Sequence, residues 1–236
     1  MCKGKKIFRA RLIESIDELP KHTQLVVYLS IDDVSLQTPP VEQLLNNETW
    51  KESPIWGFDA EGSDAPPNDK TPNGRINPVG MSYLYTSEDP HTAIVEVRPT
   101  IEQMVSVAEV EIKKDLKIFD FCINPTDGDI ADGQRGIFEE IARHLSMPNH
   151  MGGSGYYATQ YISQYIKKLR GSFDGIRFRS SLHKCGVNIV LFDTTKDEET
   201  KEPRNYVIKN SSVHYVDNIT ISESKVLPTD DDDSTE

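Results

Sequence analysis

The alternation of apolar and polar residues predicts strands in several separate parts of the chain. Near the start, KKIFRARLIES alternates around Ile7 and Phe8, with Arg9 and Arg11 on one face. Further strands are predicted by short apolar or alternating runs: MSYLYTS, QMVSVAEVEI, LKIFDFC, FDGIRF, VNIVLFD, and one or two more within NYVIKNSSVHYVDNITISESKVL.

Helical spacing appears between these strands. In SEDPHTAIVEVRP, Ser87 or Asp89 can cap a helix running from about Pro90 to Val97 and ending before Pro99. GIFEEIARHLS predicts a second helix, and PPVEQLLNNETW a short one. A further helix is predicted in YYATQYISQYIKKLR, with one apolar stripe facing the core: Tyr161, Ile162, Tyr165, Ile166 and Leu169.

The order of the predicted elements favours an α+β fold over a doubly wound sheet, because several strands follow one another directly. Pro, Gly, Asn and Asp are concentrated between residues 53 and 78, which predicts an extended loop. We expect a single domain over residues 1–228, followed by a disordered acidic tail at residues 229–236.

Charge and cysteine content narrow the class of protein. With 38 acidic and 26 basic residues the formal charge is −12, so direct nucleic-acid binding is not expected. Cys2, Cys122 and Cys185 are too scattered for a disulfide framework or a zinc motif, and the six histidines lack metal-ligand spacing, so we predict no metal. No apolar run approaches the ~20 residues of a membrane span. We expect a cytoplasmic protein.

One carboxylate lies in an unexpected place. Glu96 belongs to TAIVEV, whose other residues look like core, and a buried carboxylate needs a partner or a function. The alternative is an amphipathic helix on which Glu96 faces water.

Several other residues are candidates for a polar site with Glu96. Arg75 in the turn GRINP and Arg9 in the first strand have the two-pronged geometry that binds phosphate, although each also fits an ordinary surface or salt-bridging arginine. Tyr85 could stack on a ring or be a half-buried strand residue. Ser180 and Ser181 follow a strand and could bind a ribose or phosphate, or simply lie in a flexible loop; they lack the frame of a nucleophile elbow.

Taken in order, the segments FRAR, GRINPVGMSYLYTSEDPHTAIVEVRP and YYATQYISQYIKKLRGSFDGIRFRSSLHKCGVNIVLF resemble the RES domain family. The resemblance spans roughly residues 5–193. It is absent from about 12 to 70, where this chain has a longer connection than compact members, and residues 204–228 add C-terminal strands. It implies a fold related to ADP-ribosyltransferase toxins, with mixed sheets and flanking helices.

The resemblance also implies a site. Arg9, Arg75, Tyr85, Glu96 and Ser180 match the family's motif positions, and Asn188 lies in its Gly-x-Asn strand. Ser181 is the alternative if the alignment slips by one residue. Glu96, Arg75 and Ser180 are then expected to be catalytic, and Arg9, Arg75, Tyr85, Ser180, Ser181 and Asn188 to bind NAD.

The activity implied is that of a toxin of a toxin–antitoxin pair that depletes NAD by cleaving its nicotinamide–ribose bond, with water or phosphate as acceptor. NAD is then a substrate and no cofactor is expected. Alternatives are transfer of ADP-ribose to a protein and a non-catalytic module that binds a nucleotide or a partner. The resemblance implies an antitoxin protein and a homodimer as possible partners, and no membrane partner is expected.

Overall fold

The computed structural model describes residues 1–24, 54–122, 132–147, 156–169, 173–192, 194 and 205–220. The short helix predicted around PPVEQLLNNETW, much of the 12–70 insertion and the acidic tail at 229–236 lie outside these residues. Within the described residues no helix has the length and apolar content needed to span a lipid bilayer.

Among the described residues, seven strands form one mixed sheet in the order β4-β5-β6-β2-β1-β3-β7. Only β4 and β5 pair in parallel among the described strands, and the other neighbours are antiparallel. The strands are β1 (Lys6–Leu12), β2 (Leu84–Ser87), β3 (Met104–Ile112), β4 (Ile118–Asp120), β5 (Gly175–Arg179), β6 (Val187–Leu191) and β7 (Tyr206–Tyr215).

Within the part of the chain that the structure describes, the helices beside the sheet are α1 (Ala60–Ser63), α2 (Pro90–Glu96), α3 (Asp132–Ser146) and α4 (Tyr157–Lys168). Residues 21–24 are also helical, and 3-10 turns occupy Ile16–Glu18 and Asn68–Lys70. Helix α2 follows the predicted signals closely, because Asp89 caps its first turn by accepting from the Thr92 amide at 2.8 Å and Pro90 occupies the first helical position. A mixed sheet with flanking helices confirms the predicted α+β class.

Apolar side chains lie on both faces of the sheet. Along β6, alternation sends Val190 to the face covered by α3 and α4, where it packs with Ile176 and Phe178, and sends Ile189 and Leu191 to the opposite face. The second face packs against β1, β3 and β7 residues such as Ile7, Val110 and Tyr206. Burial on both faces explains why β6 reads as a continuous apolar run.

Two predicted elements differ from the structure. The strand expected from Met81 begins only at Leu84, because Ser82 bonds back to the long loop instead: its amide donates to Asn68 Oδ1 and its hydroxyl to the Pro66 carbonyl. The stripe predicted on α4 is wrong in part. Tyr161 and Tyr165 are exposed, while Ile166 is buried and Ile162 and Leu169 pack beside it.

The sheet opens between β1 and β2. These strands pair at one position, Phe8 opposite Ser87, although β2 pairs along its whole length with β6. In the opening, Arg9 Nη1 lies 3.4 Å from the Tyr85 carbonyl, where a continuous sheet would place a backbone donor. This gap is where the candidate site lies.

Candidate active site

Glu96 lies at the carboxyl end of α2 with its side chain 17% exposed. The end of a helix carries partial negative charge, so a carboxylate there is unfavourable unless it is compensated. Three side chains from distant segments compensate it. Ser180 Oγ and Asn188 Nδ2 donate to Oε1 at 2.7 and 2.6 Å, and Arg75 Nη2 lies 3.4 Å from Oε2. Glu96 is therefore not a solvent-facing residue of an amphipathic helix.

Arg75 is held from two sides. Its Nη1 donates to the carbonyls of Leu145 and Ser146, at 3.3 and 2.6 Å, which are carbonyls at the end of α3 without a helical partner. The same guanidinium reaches Glu96 through Nη2. The end of α3 and the Glu96 carboxylate thus orient one cation between them.

Helix α4 fixes the turn that carries Arg75. Thr159 Oγ1 donates to the Arg75 carbonyl at 2.6 Å and Ser163 Oγ to the Ile76 carbonyl at 2.6 Å. Gln160 Nε2 contacts the carbonyls of Gly74 and Asn77 at 2.7 and 3.1 Å. All three donors are buried, so this polar face of α4, together with the apolar residues beside it, points inward. These residues were missed by the sequence reasoning, and their three- and four-residue spacing was the available signal.

Tyr85 lines the cavity and holds the turn that carries Arg75 through its hydroxyl. Its hydroxyl donates to Asn77 Oδ1 at 2.6 Å and accepts from the Ile76 amide at 3.2 Å, and burial raises the pKa of Tyr85 to about 12. A Cβ on Gly74 would lie 2.2 Å from Asn77 Oδ1 and 2.7 Å from Tyr85 Oη, so only glycine fits there. The tyrosine hydroxyl is therefore committed to the turn, which leaves its ring available to a ligand.

Arg9 is the least satisfied cation of the site. Its Nε is buried and has no hydrogen-bond partner among the described residues, and Nη1 makes only the 3.4 Å contact to Tyr85. Burial, followed by the neighbouring Arg11, lowers the pKa of Arg9 to about 10, so it remains a cation at neutral pH. A half-buried cation whose buried Nε is an unused donor is suited to bind an anion.

The two predicted serines are placed differently. Ser180 is buried, donates to Glu96 and accepts from the amides of Leu182 and His183 at 3.1 and 3.0 Å. Ser181 is exposed, and neither serine is among the residues that line the cavity described below. Asn188 donates to Glu96 while its Oδ1 accepts from Ser87 Oγ at 2.7 Å, so Ser87 joins the site as a residue that the sequence reasoning missed.

These groups surround a cavity of about 310 Å³, within the range of small-molecule sites. Its polar wall contains Arg9, Arg75, Glu96 and Asn188. Its apolar wall contains Phe8, Tyr83, Tyr85, Ala93, Val97 and Phe178. Within the residues that the structure describes, no cluster of His, Cys, Asp and Glu could hold a metal ion.

A family model for the RES domain matches residues 43–215, well over half of the chain. The protein belongs to the RES domain family. The matched range contains every site residue named above except those of β1, so Arg9 is assigned by its place in the cavity and by the resemblance noted above. No curated protein and no solved structure matches this RES protein, and its relation to the ADP-ribosyltransferase fold stays a prediction.

Proposed function

We propose that this RES protein cleaves the nicotinamide–ribose bond of NAD, with water or phosphate as acceptor, and acts as an NAD-depleting toxin in the cytoplasm. The observation that carries the proposal is the Glu96 carboxylate, fixed by three donors at the wall of a cavity that also contains aromatic rings and two cations. Membership of the RES family, through its link with NAD chemistry, supports the same substrate.

The proposed reaction needs charge stabilisation more than proton transfer. The bond between ribose C1′ and the pyridinium nitrogen breaks with its electron pair going to nitrogen, so nicotinamide leaves as a neutral molecule. Positive charge then builds on the ribose, and a preorganised carboxylate in a partly dry site stabilises it. The acceptor oxygen completes the reaction by bonding to C1′, and a water acceptor loses its proton to the surroundings.

The hydrogen bonds to Glu96 suit this role. Both carboxylate oxygens of Glu96 face donors, so the carboxylate is already oriented when substrate binds. It therefore needs little reorientation when the sugar cation forms. In this proposal Ser180 and Asn188 orient the acid, and Arg75 sets its position from the end of α3. Arg75 contributes to diphosphate binding less directly than Arg9, since its donors are largely engaged.

Substrate binding is assigned to side chains that line the cavity. Arg9, with its unused Nε, is proposed to contact the diphosphate, and the ring of Tyr85 to stack on a ring of the dinucleotide. NAD is treated as substrate rather than cofactor. An antitoxin and a homodimer remain expectations from the resemblance.

The test is the product of NAD turnover by the purified protein. Labelled NAD is incubated alone, with phosphate, and with cell lysate. Free ADP-ribose or its 1″-phosphate supports the proposal, whereas labelled protein instead supports an ADP-ribosyltransferase. Absence of all three products would leave a binding module and overturn the proposal.

Glu96→Gln is expected to keep the fold and to lower NAD cleavage by about 10²- to 10³-fold, because it removes the charge that stabilises the sugar cation. Glu140→Gln is a matched control, since Glu140 is an ion-paired glutamate on the exposed side of α3. Expression of the parent protein should arrest growth, and expression of the Glu96 variant should not. Full NAD cleavage by Glu96→Gln would remove Glu96 from the mechanism.

A further inference from the structure

The loop between β5 and β6, residues 180–186, is closed at its base by its own backbone. The Ser180 amide donates to the Gly186 carbonyl at 2.9 Å, and the Gly186 amide donates to the His183 carbonyl at 2.9 Å. Ser180 Oγ lies inside the loop and accepts from the amides of Leu182 and His183. The position of this hydroxyl therefore depends on the conformation of the whole loop.

The loop contacts α2 at both ends of the helix. At the carboxyl end Ser180 donates to Glu96. In the first turn of the helix, His183 Nδ1 lies 2.7 Å from Thr92 Oγ1. Thr92 is fully buried, and its hydroxyl is also 2.5 Å from Oδ2 of Asp89, the residue that caps α2.

The number of protons on each group decides which atom donates in the hydrogen bonds of Thr92. A threonine hydroxyl has one proton, and an ionised carboxylate can only accept. Burial raises the pKa of Asp89, but the hydrogen bonds from Thr92 outweigh it and hold that pKa below its ordinary value, so Asp89 is ionised at neutral pH. Thr92 therefore donates to Asp89 and accepts from His183, whose Nδ1 must carry the proton.

We propose that Asp89, Thr92 and His183 form a latch that holds the 180–186 loop on α2 and so positions Ser180 against the Glu96 carboxylate. His183 is a positioning residue in this scheme and does not touch the substrate. The proposal deepens the proposed function and, for its effect on turnover, rests on it.

The close approach of loop and helix supports the latch independently. A Cβ on Gly186 would lie 2.6 Å from Thr92 Oγ1 and 2.9 Å from the His183 Cβ, so the loop reaches this distance only because residue 186 is glycine. The His183 ring also packs edge-on against the His91 ring of α2, with the ring centroids 4.9 Å apart. Ser181, Leu182, Lys184 and Cys185 are all exposed.

The experiment compares His183→Ala, His183→Asn and the control Lys184→Ala in the full chain. Asparagine keeps an N–H donor near the place of Nδ1, alanine removes it, and Lys184 is an exposed loop neighbour. Two readouts are taken: hydrogen exchange at the amides of residues 180–186, and kcat and KM for NAD cleavage.

In His183→Ala we expect faster exchange in the loop and a fall in kcat of about 10- to 100-fold with KM nearly unchanged, because a catalytic group has lost its orientation. In His183→Asn, loop exchange and kcat should both be closer to the parent values than in His183→Ala. In Lys184→Ala, neither loop exchange nor kcat should change. Unchanged loop exchange in His183→Ala would overturn the latch, and so would a loss that appears in KM alone.

The two proposals fail separately. If the parent protein does not cleave NAD, the proposed function is wrong, and exchange alone decides the latch. The latch is supported if loop amides exchange faster in His183→Ala while His183→Asn and Lys184→Ala exchange like the parent protein. It is refuted if all three variants exchange at the same rate.

Discussion

The Arg75 turn and the Ser180 loop both present a side chain to Glu96, but they are held in different ways. Buried side chains of α4 donate to four successive carbonyls of the turn, from Gly74 to Asn77. The Ser180 loop has one side-chain hydrogen bond to α2 besides that of Ser180, together with the contact of the His183 and His91 rings, and most of its side chains are exposed. The cationic side of the site is thus part of the core, and the serine side is a surface loop.

This difference predicts that the Arg75 turn matters mainly for the stability of the fold and the Ser180 loop mainly for activity. A buried carbonyl that loses its donor costs about 1–3 kcal/mol, because water cannot replace the bond. A loop at the surface exchanges its bonds with water at much lower cost. Damage to the turn should therefore reduce the free energy of unfolding, and damage to the loop should mainly reduce turnover.

Gln160→Leu should break the turn most severely. Leucine leaves the half-buried Gly74 carbonyl without its side-chain donor and the Asn77 carbonyl with the Gly74 amide in place of two donors, so we expect the free energy of unfolding to fall by about 3 kcal/mol and NAD cleavage to fall with it. Gln164→Leu, one turn along α4, loses only a bond to the Tyr83 hydroxyl and should cost much less. Denaturant unfolding measures both, and equal losses would contradict the special role of Gln160.

Gly74→Ala tests the same turn by crowding. The new methyl would press on Asn77 Oδ1 and Tyr85 Oη, so we expect a loss of about 1–3 kcal/mol in the free energy of unfolding and at least a tenfold fall in NAD cleavage. Gly136→Ala is the matched control, because that site on α3 is open, and alanine there should stabilise the helix by up to about 1 kcal/mol. A lower unfolding temperature for Gly136→Ala than for Gly74→Ala would refute crowding at Gly74.

Gly186→Ala makes the equivalent change in the loop. The methyl pushes the loop away from Thr92, and we expect a fall in kcat of about tenfold with a loss in unfolding free energy of less than about 1 kcal/mol. Steady-state kinetics and denaturant unfolding together provide the check. If this variant loses as much stability as Gly74→Ala, the contrast between turn and loop is false.

Glu88→Gln should have the smallest effect on turnover. Glu88 and Arg177 pair on the far side of the sheet from Phe178, and although burial raises the pKa of Glu88, hydrogen bonds from Arg177 and Lys5 hold it below its ordinary value. Because the pKa of Glu88 is lower in the folded state, its ionised form stabilises the fold at pH values above the ordinary pKa of glutamate. That contribution is lost as the pH falls. The stability difference between parent and variant should therefore shrink on acidification, as unfolding at several pH values measures, while turnover at neutral pH stays the same.

Much of this site was predictable because its residues stand in ordered motifs. Glu96, Arg75, Arg9, Tyr85 and Asn188 were all expected, and the structure brings them to one cavity with Ser180 bonded to the carboxylate. Helix α2 was predicted to within a residue because its cap and its proline are local signals.

What escaped prediction depended on tertiary contacts. Helix α4 was given an apolar inner face that included Tyr161 and Tyr165, but the turn packed on it presents carbonyls, which select Thr159, Gln160 and Ser163 instead. The acceptors for Arg75 on α3 are backbone atoms, which no residue type reveals. The pairing of Thr92 with His183 likewise joins residues 91 positions apart.

The separation of the Glu96 donors along the chain also has a consequence during synthesis on the ribosome. Ser180 and Asn188 follow Glu96 by 84 and 92 residues, and β6, which carries Asn188, lies inside the sheet between β5 and β2. A nascent or truncated chain that ends before Val187 has its acid but neither the amide donor nor the strand that completes the sheet. Under the proposed function, this order of assembly gives the protein its NAD-cleaving activity only after β6 has been synthesised.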